Sequence, residues 1–454
     1  MKAENKMNEC WYNYINMDVD KPIRDHFHDG LKTFSLKEKN IQTSGIPIDS
    51  VQGCYFLDTG ESHNLIIGST GCGKTRRLII PYLFAIAASE ENCVVHDPKG
   101  ELYRLTKSRF EAAGYKVMAL NGRRPSKSEG WNAFEYPYEL IRSKDPEKKD
   151  EGMKILSQIS KSISIPDQGN DRYWSLTAEL AVYGALISMV KEAKTLNEAT
   201  LKNALKIVNH ILDDDPLGCG ISFRTEHNSI EDMLLSPVTD NADNAKRNLI
   251  SIMRSSMLPF MILESMTDML SRNDIHFDAF LSQKTIVYII SPDESKEFEP
   301  IVTLFIKMLY KFLVSYADEH GGNLDRRMNI IIDEFASLPM IEDMPTILNA
   351  SRSRNIRVTL AVQSLKQLEA VYGKEMESVK GNCNNIIYFT SRDLYTLKDV
   401  SELCGYNEGR TQYSVTKLQN LNKETGEILV LMDRTEPRIC HLLDYSVYSI
   451  KNEL

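Results

Sequence analysis

The chain has 454 residues, 42% of them hydrophobic and 26% charged. That is an ordinary globular composition, and it excludes a collagen-like, coiled-coil or mostly disordered chain. The formal net charge of −9 excludes a surface that coats nucleic acid everywhere, so any such contact must be a local basic patch.

Length alone predicts two or three domains, or one large α/β domain with an insertion. No run approaches the roughly 18 apolar residues of a membrane span. The longest candidate, Leu78–Ala88, is interrupted by Pro81, and the N-terminus has no apolar signal core. The 8 cysteines are scattered without a C-x-x-C pair, which predicts reduced thiols. His26 and His28 have no Cys, Glu or His neighbour in sequence, so no metal site is expected there.

In chain order, residues 1–50 are polar and weakly patterned and read as an N-terminal extension. An alternation follows. Short β-rich runs fall at Asn64–Ile67, Cys93–His96, Lys116–Leu120, Thr285–Ile290, Met328–Ile332, Arg357–Val362 and Asn385–Phe389. Helical stretches such as Thr75–Ala88 and Pro300–Asp318 separate most of them. Continuous apolar strands alternating with helices predict a mostly parallel sheet covered on both faces. Between about residues 171 and 278 the strands stop. Ser175–Ala193, Asn197–Leu212, Ile230–Leu235 and Asp240–Ser271 read as amphipathic helix, an all-α insertion. The charge run Arg142–Gly152 reads as a solvated loop or a helix start. The expected organisation is thus an α/β nucleotide-binding domain in two parts, 51–170 and 279–454, interrupted by 171–278.

Gly68-Ser69-Thr70-Gly71-Cys72-Gly73-Lys74-Thr75 is the phosphate-binding pattern G-x-x-x-x-G-K-[ST]. A strand leads in and a helix opening at Arg76 leads out. The glycines let backbone N–H groups face phosphates, and the helix start adds its positive dipole end. Gly68 through Arg76 are therefore the expected ATP contacts. Lys74 is expected to bridge phosphate oxygens and Thr75 to ligate Mg²⁺.

A partner acid should end a buried strand. Met328-Asn329-Ile330-Ile331-Ile332 is followed by Asp333 and Glu334. Asp333 is expected in the Mg²⁺ shell and Glu334 as general base for the attacking water. Paired carboxylates, with no N-K-x-D guanine motif, favour ATPase over GTPase chemistry. Gln363 ends the run Arg357–Val362, where an amide can sense the γ-phosphate. In the basic cluster Ser351–Arg357, Arg352 and then Arg354 are candidates for an arginine given to a neighbouring subunit's site, although a solvated patch or a DNA contact fits the same residues. In His96-Asp97-Pro98-Lys99-Gly100-Glu101, Asp97 or Glu101 either orients Lys74 and the metal or builds a tight turn. Arg104, Lys107 and Arg109 are candidates for a basic pore lining.

With these residues the chain resembles the VirD4/TraG family of type IV secretion coupling proteins. Beyond Gly68–Thr75 with its downstream Pro81, the likeness lies in Asp97–Leu102, Trp131-Asn132, Tyr173-Trp174, Asp333-Glu334-Phe335 with Leu338-Pro339, Arg352 before a strand, Gln363-Ser364 with Gln367-Leu368, and Tyr372-Gly373. The resemblance implies a hexameric RecA-like ATPase that uses ATP and Mg²⁺. Such a ring carries DNA, single-stranded with bound relaxase, to channel proteins at the inner face of the cell membrane. It implies that the helical insertion receives cargo and that Arg352 serves the next subunit. Two features depart from the family. Its members usually begin with two transmembrane helices, not read here, so membrane attachment is expected through a partner or a missing anchor. Cys72 stands where members carry Ser or another small residue, and its thiol is expected near bound phosphate. Two alternatives use the same nucleotide site: a substrate receptor that needs ATP mainly to assemble, and a cytosolic DNA translocase of the FtsK/HerA type.

Overall fold

The structure, a computed structural model, describes residues 31–51, 54–164, 172–210, 229–239, 243–261, 263–294, 296–407 and 409–450. The chain forms two compact units. The first comprises residues 1–117, 280–288 and 316–454, and the second 118–279 and 289–315. The expected insertion limits fall inside the second. His26 and His28 lie outside the described residues.

The first unit opens with a sheet that the sequence pattern did not announce. Strands β1 (Leu31–Ser35), β2 (Ile46–Val51) and β3 (Cys54–Asp58) pair antiparallel in the order β1-β3-β2. In β3 burial alternates residue by residue, as expected for a sheet with one covered face. β2 is buried nearly throughout despite Asp49, because that carboxylate accepts the backbone N–H groups of Ser50 (2.8 Å) and His441 (2.9 Å). Such pairing removes the cost of a buried polar group.

The main sheet contains β4 (Asn64–Gly68), β5 (Asn92–His96), β6 (Lys116–Asn121), β7 (Thr285–Ile290), β8 (Met328–Ile332), β9 (Ile356–Val362) and β10 (Asn385–Thr390). A two-residue hairpin, β11 (Tyr406–Asn407) with β12 (Arg410–Thr411), precedes β13 (Glu427–Met432) and β14 (Arg438–His441). The order is β14-β13-β10-β4-β9-β8-β5-β7-β6. The ladders β10–β4, β4–β9, β9–β8 and β8–β5 are parallel, and β13 and β14 extend the sheet antiparallel beyond β10. The central strands β4, β5, β8 and β9 are buried end to end, as their unbroken apolar runs require. Each fully buried Ile or Leu there contributes about 1.5–3 kcal/mol.

In the second unit the described residues between 172 and 279 are helical or loop. The charge run before them is a helix start: Asp145 caps Pro146–Ile163 by accepting the Glu147 N–H. Helices Arg172–Glu192 and Ile230–Thr239 approach so closely that a Cβ on Gly184 would stand 3.0 Å from Leu234 and Leu235. The expected helix Asp240–Ser271 breaks into Asp243–Met257 and Glu264–Met269 around Pro259. Trp131, one of the residues that carry the family likeness, is buried, its ring centroid 4.9 Å from that of Phe305. Helices Arg172–Glu192 and Glu299–Glu319 reach membrane-spanning length with mean hydropathy 1.2 and 1.4. Their apolar windows are 61% and 56% buried, as in internal helices.

Candidate nucleotide-binding site

β4 delivers the loop Ser69–Lys74 at its C-terminal end. Ser69 N–H donates to Thr390 O (2.9 Å), which ties the loop to β10, and Cys72 N–H closes a turn on Ser69 O (3.2 Å). Gly71 (φ 74°) and Gly73 (φ 107°) occupy backbone space that other residues enter only with strain. A Cβ at Gly71 would meet nothing within 4 Å, so the loop stands open at that point. Lys74 is 8% exposed and its ammonium donates to Gly68 O, which folds the side chain back over the loop. Thr75 begins the outgoing helix and is half-buried. Its first turn, Thr75–Ile79, is wound wide, with Ile80 N–H donating to Thr75 O. Pro81 explains this, since it has no N–H to give to the Arg77 carbonyl.

Two strands across, β8 ends at Asp333. Its backbone N–H reaches His96 O (3.4 Å), and its carbonyl contacts His96 Nδ1 (2.8 Å), which fastens the ends of β8 and β5. Burial holds the His96 imidazole neutral, lowering its pKa to about 4. Burial likewise raises the Asp333 carboxyl to about 6. Lys74 opposes that shift, while Glu334 and Asp97 add to it. The lysine and the acid therefore act on each other at one site. Glu334 follows in the left-handed region (φ 56°), a strain of about 1–2 kcal/mol for a non-glycine residue. Such strain is typical of functional sites. Its carboxylate lies 3.7 Å from the Lys99 ammonium.

β9 runs between β4 and β8, with Ile67 opposite Val362 and Ile332 opposite Leu360. Gln363 thus emerges between the phosphate loop and the paired acids. Cradle, carboxylates and amide occupy the C-terminal edge of three neighbouring strands. One hydroxyl and one carboxylate offer hard oxygens of the kind Mg²⁺ accepts while keeping several waters. Arg352 is not in this cluster. It is exposed and precedes the N-terminal end of β9, roughly 20 Å away along the strand. Arg354, the second candidate, is paired with Asp318 (2.9 Å).

Two side-chain expectations need correction. Cys72 is turned inward. The residue is 7% exposed, and its thiol lies against the start of the loop, where a Cβ on Gly68 would meet Sγ at 2.6 Å. Arg76, expected as a nucleotide contact, forms a two-pronged pair with Asp444 (2.7 and 3.1 Å) and lies over the Tyr445 ring. Asp97 takes the turn-building role, one of the two read for it: it accepts the N–H groups of Glu101 (3.1 Å) and Tyr103 (2.8 Å) at the start of Glu101–Ala112. Of the pore candidates, Lys107 is engaged by Tyr103 and Glu111, and Arg109 by Glu38 O and the Phe84 ring. Sequence reasoning named no role for Lys99, although its place beside the β5 end was a usable signal. It gave no hint of Asp444, which is 368 residues from Arg76.

The profile of the family described as type IV secretory system conjugative DNA transfer matches residues 11–427. The chain belongs to this family. Conjugal transfer protein TraG of Escherichia coli is 24% identical over 404 residues, 84% of this chain and 60% of the relative. Protein VirD4 of Agrobacterium fabrum is 20% identical over 391 residues, 83% of this chain and 54% of the relative. The chain thus spans little more than half the length of these two family members. The coupling protein TrwB solved with ADP and Mg²⁺ superposes with a TM-score of 0.64 at 16% identity, covering 90% of each chain. TrwB with the non-hydrolysable ATP analogue ADPNP gives 0.62 at 16% identity, again 90% of each chain. The fold is accordingly the RecA-like P-loop NTPase fold of these family structures.

Proposed function

We propose that this chain is an ATP-hydrolysing coupling protein that recruits DNA or a DNA–relaxase substrate and drives it into a type IV secretion channel. The observation that carries the reading is the meeting of Lys74, Asp333, Glu334 and Gln363 at the C-terminal edge of β4, β8 and β9. The TrwB complexes with ADP, Mg²⁺ and ADPNP support the same ligands here. Bound ATP supplies the phosphoanhydride, and Mg²⁺ neutralises its charge.

The backbone N–H groups of Ser69–Gly73 would hold the phosphates, and Lys74 would turn from Gly68 O onto their oxygens. Thr75 and Asp333 would hold the metal. Glu334 takes a proton from the attacking water, and its left-handed backbone fixes where that carboxylate stands. Gln363 follows the γ-phosphate. Arg352 stands too far along β9 to serve its own site, which supports a role in a neighbouring subunit of a homohexamer. Such an arginine is worth about 10³–10⁵ in rate. Residues 51–170 and 279–454 would form the motor, joined by β1 and β2, which the sequence read as part of an N-terminal extension but which pair with β3 in the first unit, and residues 171–278 would receive cargo. The ring would work at the inner face of the cell membrane with channel proteins, attached through a partner or an anchor.

The test is ATP hydrolysis across a range of protein concentrations, with and without single-stranded DNA, with Lys74→Ala as blank. A rate that rises faster than linearly and increases with DNA is the expected result. Binding of ATP with turnover fixed at the blank would replace the motor with a receptor that uses ATP for assembly.

A further inference from the structure

The turn leading into β13 carries a cation that the nucleotide reading leaves unassigned. β13 runs antiparallel to β10, with Asn385 opposite Met432 and Tyr388 opposite Leu429. The start of β13 therefore lies beside the end of β10, where Thr390 O holds the Ser69 N–H. The residues before β13 form a braced turn. Asn422 Oδ1 accepts the N–H groups of Glu424 (2.8 Å) and Thr425 (3.4 Å), and Asn422 N–H donates to Glu427 Oε2 (2.8 Å).

A chain of hydrogen bonds fastens this turn to the helix that follows the phosphate loop. Arg77 Nη1 donates to Leu442 O (3.0 Å), Leu442 N–H donates to Gly426 O (2.9 Å), and Gly426 N–H donates to Lys423 O (3.2 Å). Gly426 has φ 78°, and a Cβ there would collide with the Arg77 guanidinium and Leu442 O. The turn thus sits at a fixed place against the loop's own helix. Lys423 is exposed on it, and among the described residues its side chain has no hydrogen-bond or ion-pair partner. Its charge is felt by the Cys72 thiol inside the loop, where it opposes the rise caused by burial.

We propose that Lys423 is a further phosphate ligand, a cation supplied from the antiparallel arm of the same chain to the polyphosphate of bound nucleotide. The inference rests on the nucleotide reading of Gly68–Thr75. A lysine suits the position: it is a compact charge on a flexible stem that swings onto phosphate oxygens without a fixed fork. The hydrogen bonds already hold the turn's backbone against the helix that follows the loop, so only the side chain is ordered on binding. The C-terminal strands then complete the phosphate site as well as widen the sheet.

The test measures binding of fluorescent ADP and ATP analogues to the full chain and to Lys74→Ala, Lys423→Ala and Lys423→Arg, with the thermal midpoint of each without nucleotide. Lys423→Ala is expected to weaken both nucleotides about five- to tenfold, the range of a charge-assisted contact that keeps some solvent. Lys423→Arg should recover most of that loss, and the nucleotide-free midpoint should not move. If Lys74→Ala loses binding while Lys423→Ala changes it less than about twofold, the Lys423 contact is wrong and the nucleotide site stands. A lowered midpoint without rescue by arginine makes Lys423 structural and overturns the proposal. If Lys74→Ala binds as the parent does, the nucleotide reading falls and takes the Lys423 contact with it.

Discussion

The two ends of the central strands are built on opposite plans. At the N-terminal end the charges satisfy one another. Glu91 accepts the Ser44 N–H (2.9 Å), the Ser44 hydroxyl and Asn329 Nδ2 (2.8 Å). Tyr82 donates to Asn329 Oδ1 (2.9 Å), and Arg357, 2% exposed, donates to Tyr82, Ser44 O, Thr59 O and Gly60 O. At the C-terminal end the groups keep unused capacity. Lys74 rests on a backbone carbonyl, and burial raises the Asp333 carboxyl to about 6 against the opposing charge of Lys74. Glu334 holds a strained backbone with a lysine at 3.7 Å. The first plan fixes the fold, while the second stores unfavourable electrostatics that a polyanion and a cation can relieve. The difference teaches where to look for chemistry: among charged groups of this sheet, it lies where pairing is incomplete.

That contrast can be broken from either end. The largest effect belongs to the closed end. Arg357→Met leaves the Thr59 and Gly60 carbonyls without their donor and Glu91 with less positive charge nearby. Stability should fall by about 3–5 kcal/mol, read as a lower denaturant midpoint. An unchanged midpoint would show that the network is not holding the strand starts.

At the open end the same kind of substitution should act on rate instead. Glu334→Gln is expected to lower the ATP turnover number about 10²–10³-fold with ATP binding retained and the thermal midpoint within a degree or two of the parent. A variant that turns over normally would remove Glu334 as the base.

Asp333 sharpens the comparison with a smaller effect. Its carboxyl titrates near 6 in the fold against 3.8 for an unperturbed aspartate, so the folded state holds the extra proton between those values. Stability of the nucleotide-free protein therefore declines as pH rises from about 4 to about 6 and stays reduced above. Asp333→Asn should stabilise the nucleotide-free protein by about 1–2 kcal/mol at pH 7.5 and change little near pH 4, measured by thermal melts at both. The same titration makes Mg²⁺-dependent nucleotide affinity fall as pH drops through about 6. A flat pH profile for metal binding would argue against Asp333 as a ligand.

Much of the central sheet and of the site was legible because both rest on local rules. Unbroken apolar runs mark strands buried on both faces, and β4, β5, β7, β8, β9 and β10 stand where those runs lie. The glycine pattern of the phosphate loop is a local requirement on backbone angles. Asp333 and Gln363 follow their strands directly, so a strand assignment already places them. The small sheet β1–β3 and the arm β13–β14 were illegible for the opposite reason. β2 contains Pro47 and a buried Asp49, and it is stable only because residues near 441 supply its partners.

The sequence by itself determined the central strands, the phosphate loop and the acids and amide at the strand ends. Those features follow from periodicity and backbone geometry within a few residues. Tertiary structure alone decided that Cys72 turns inward, that Arg76 belongs to Asp444, that Arg352 stands at the far end of β9, and that the turn carrying Lys423 is tied to the helix after the loop. Each of these depends on which distant segment is brought alongside, and a side chain's partner across hundreds of residues leaves no period or spacing to read.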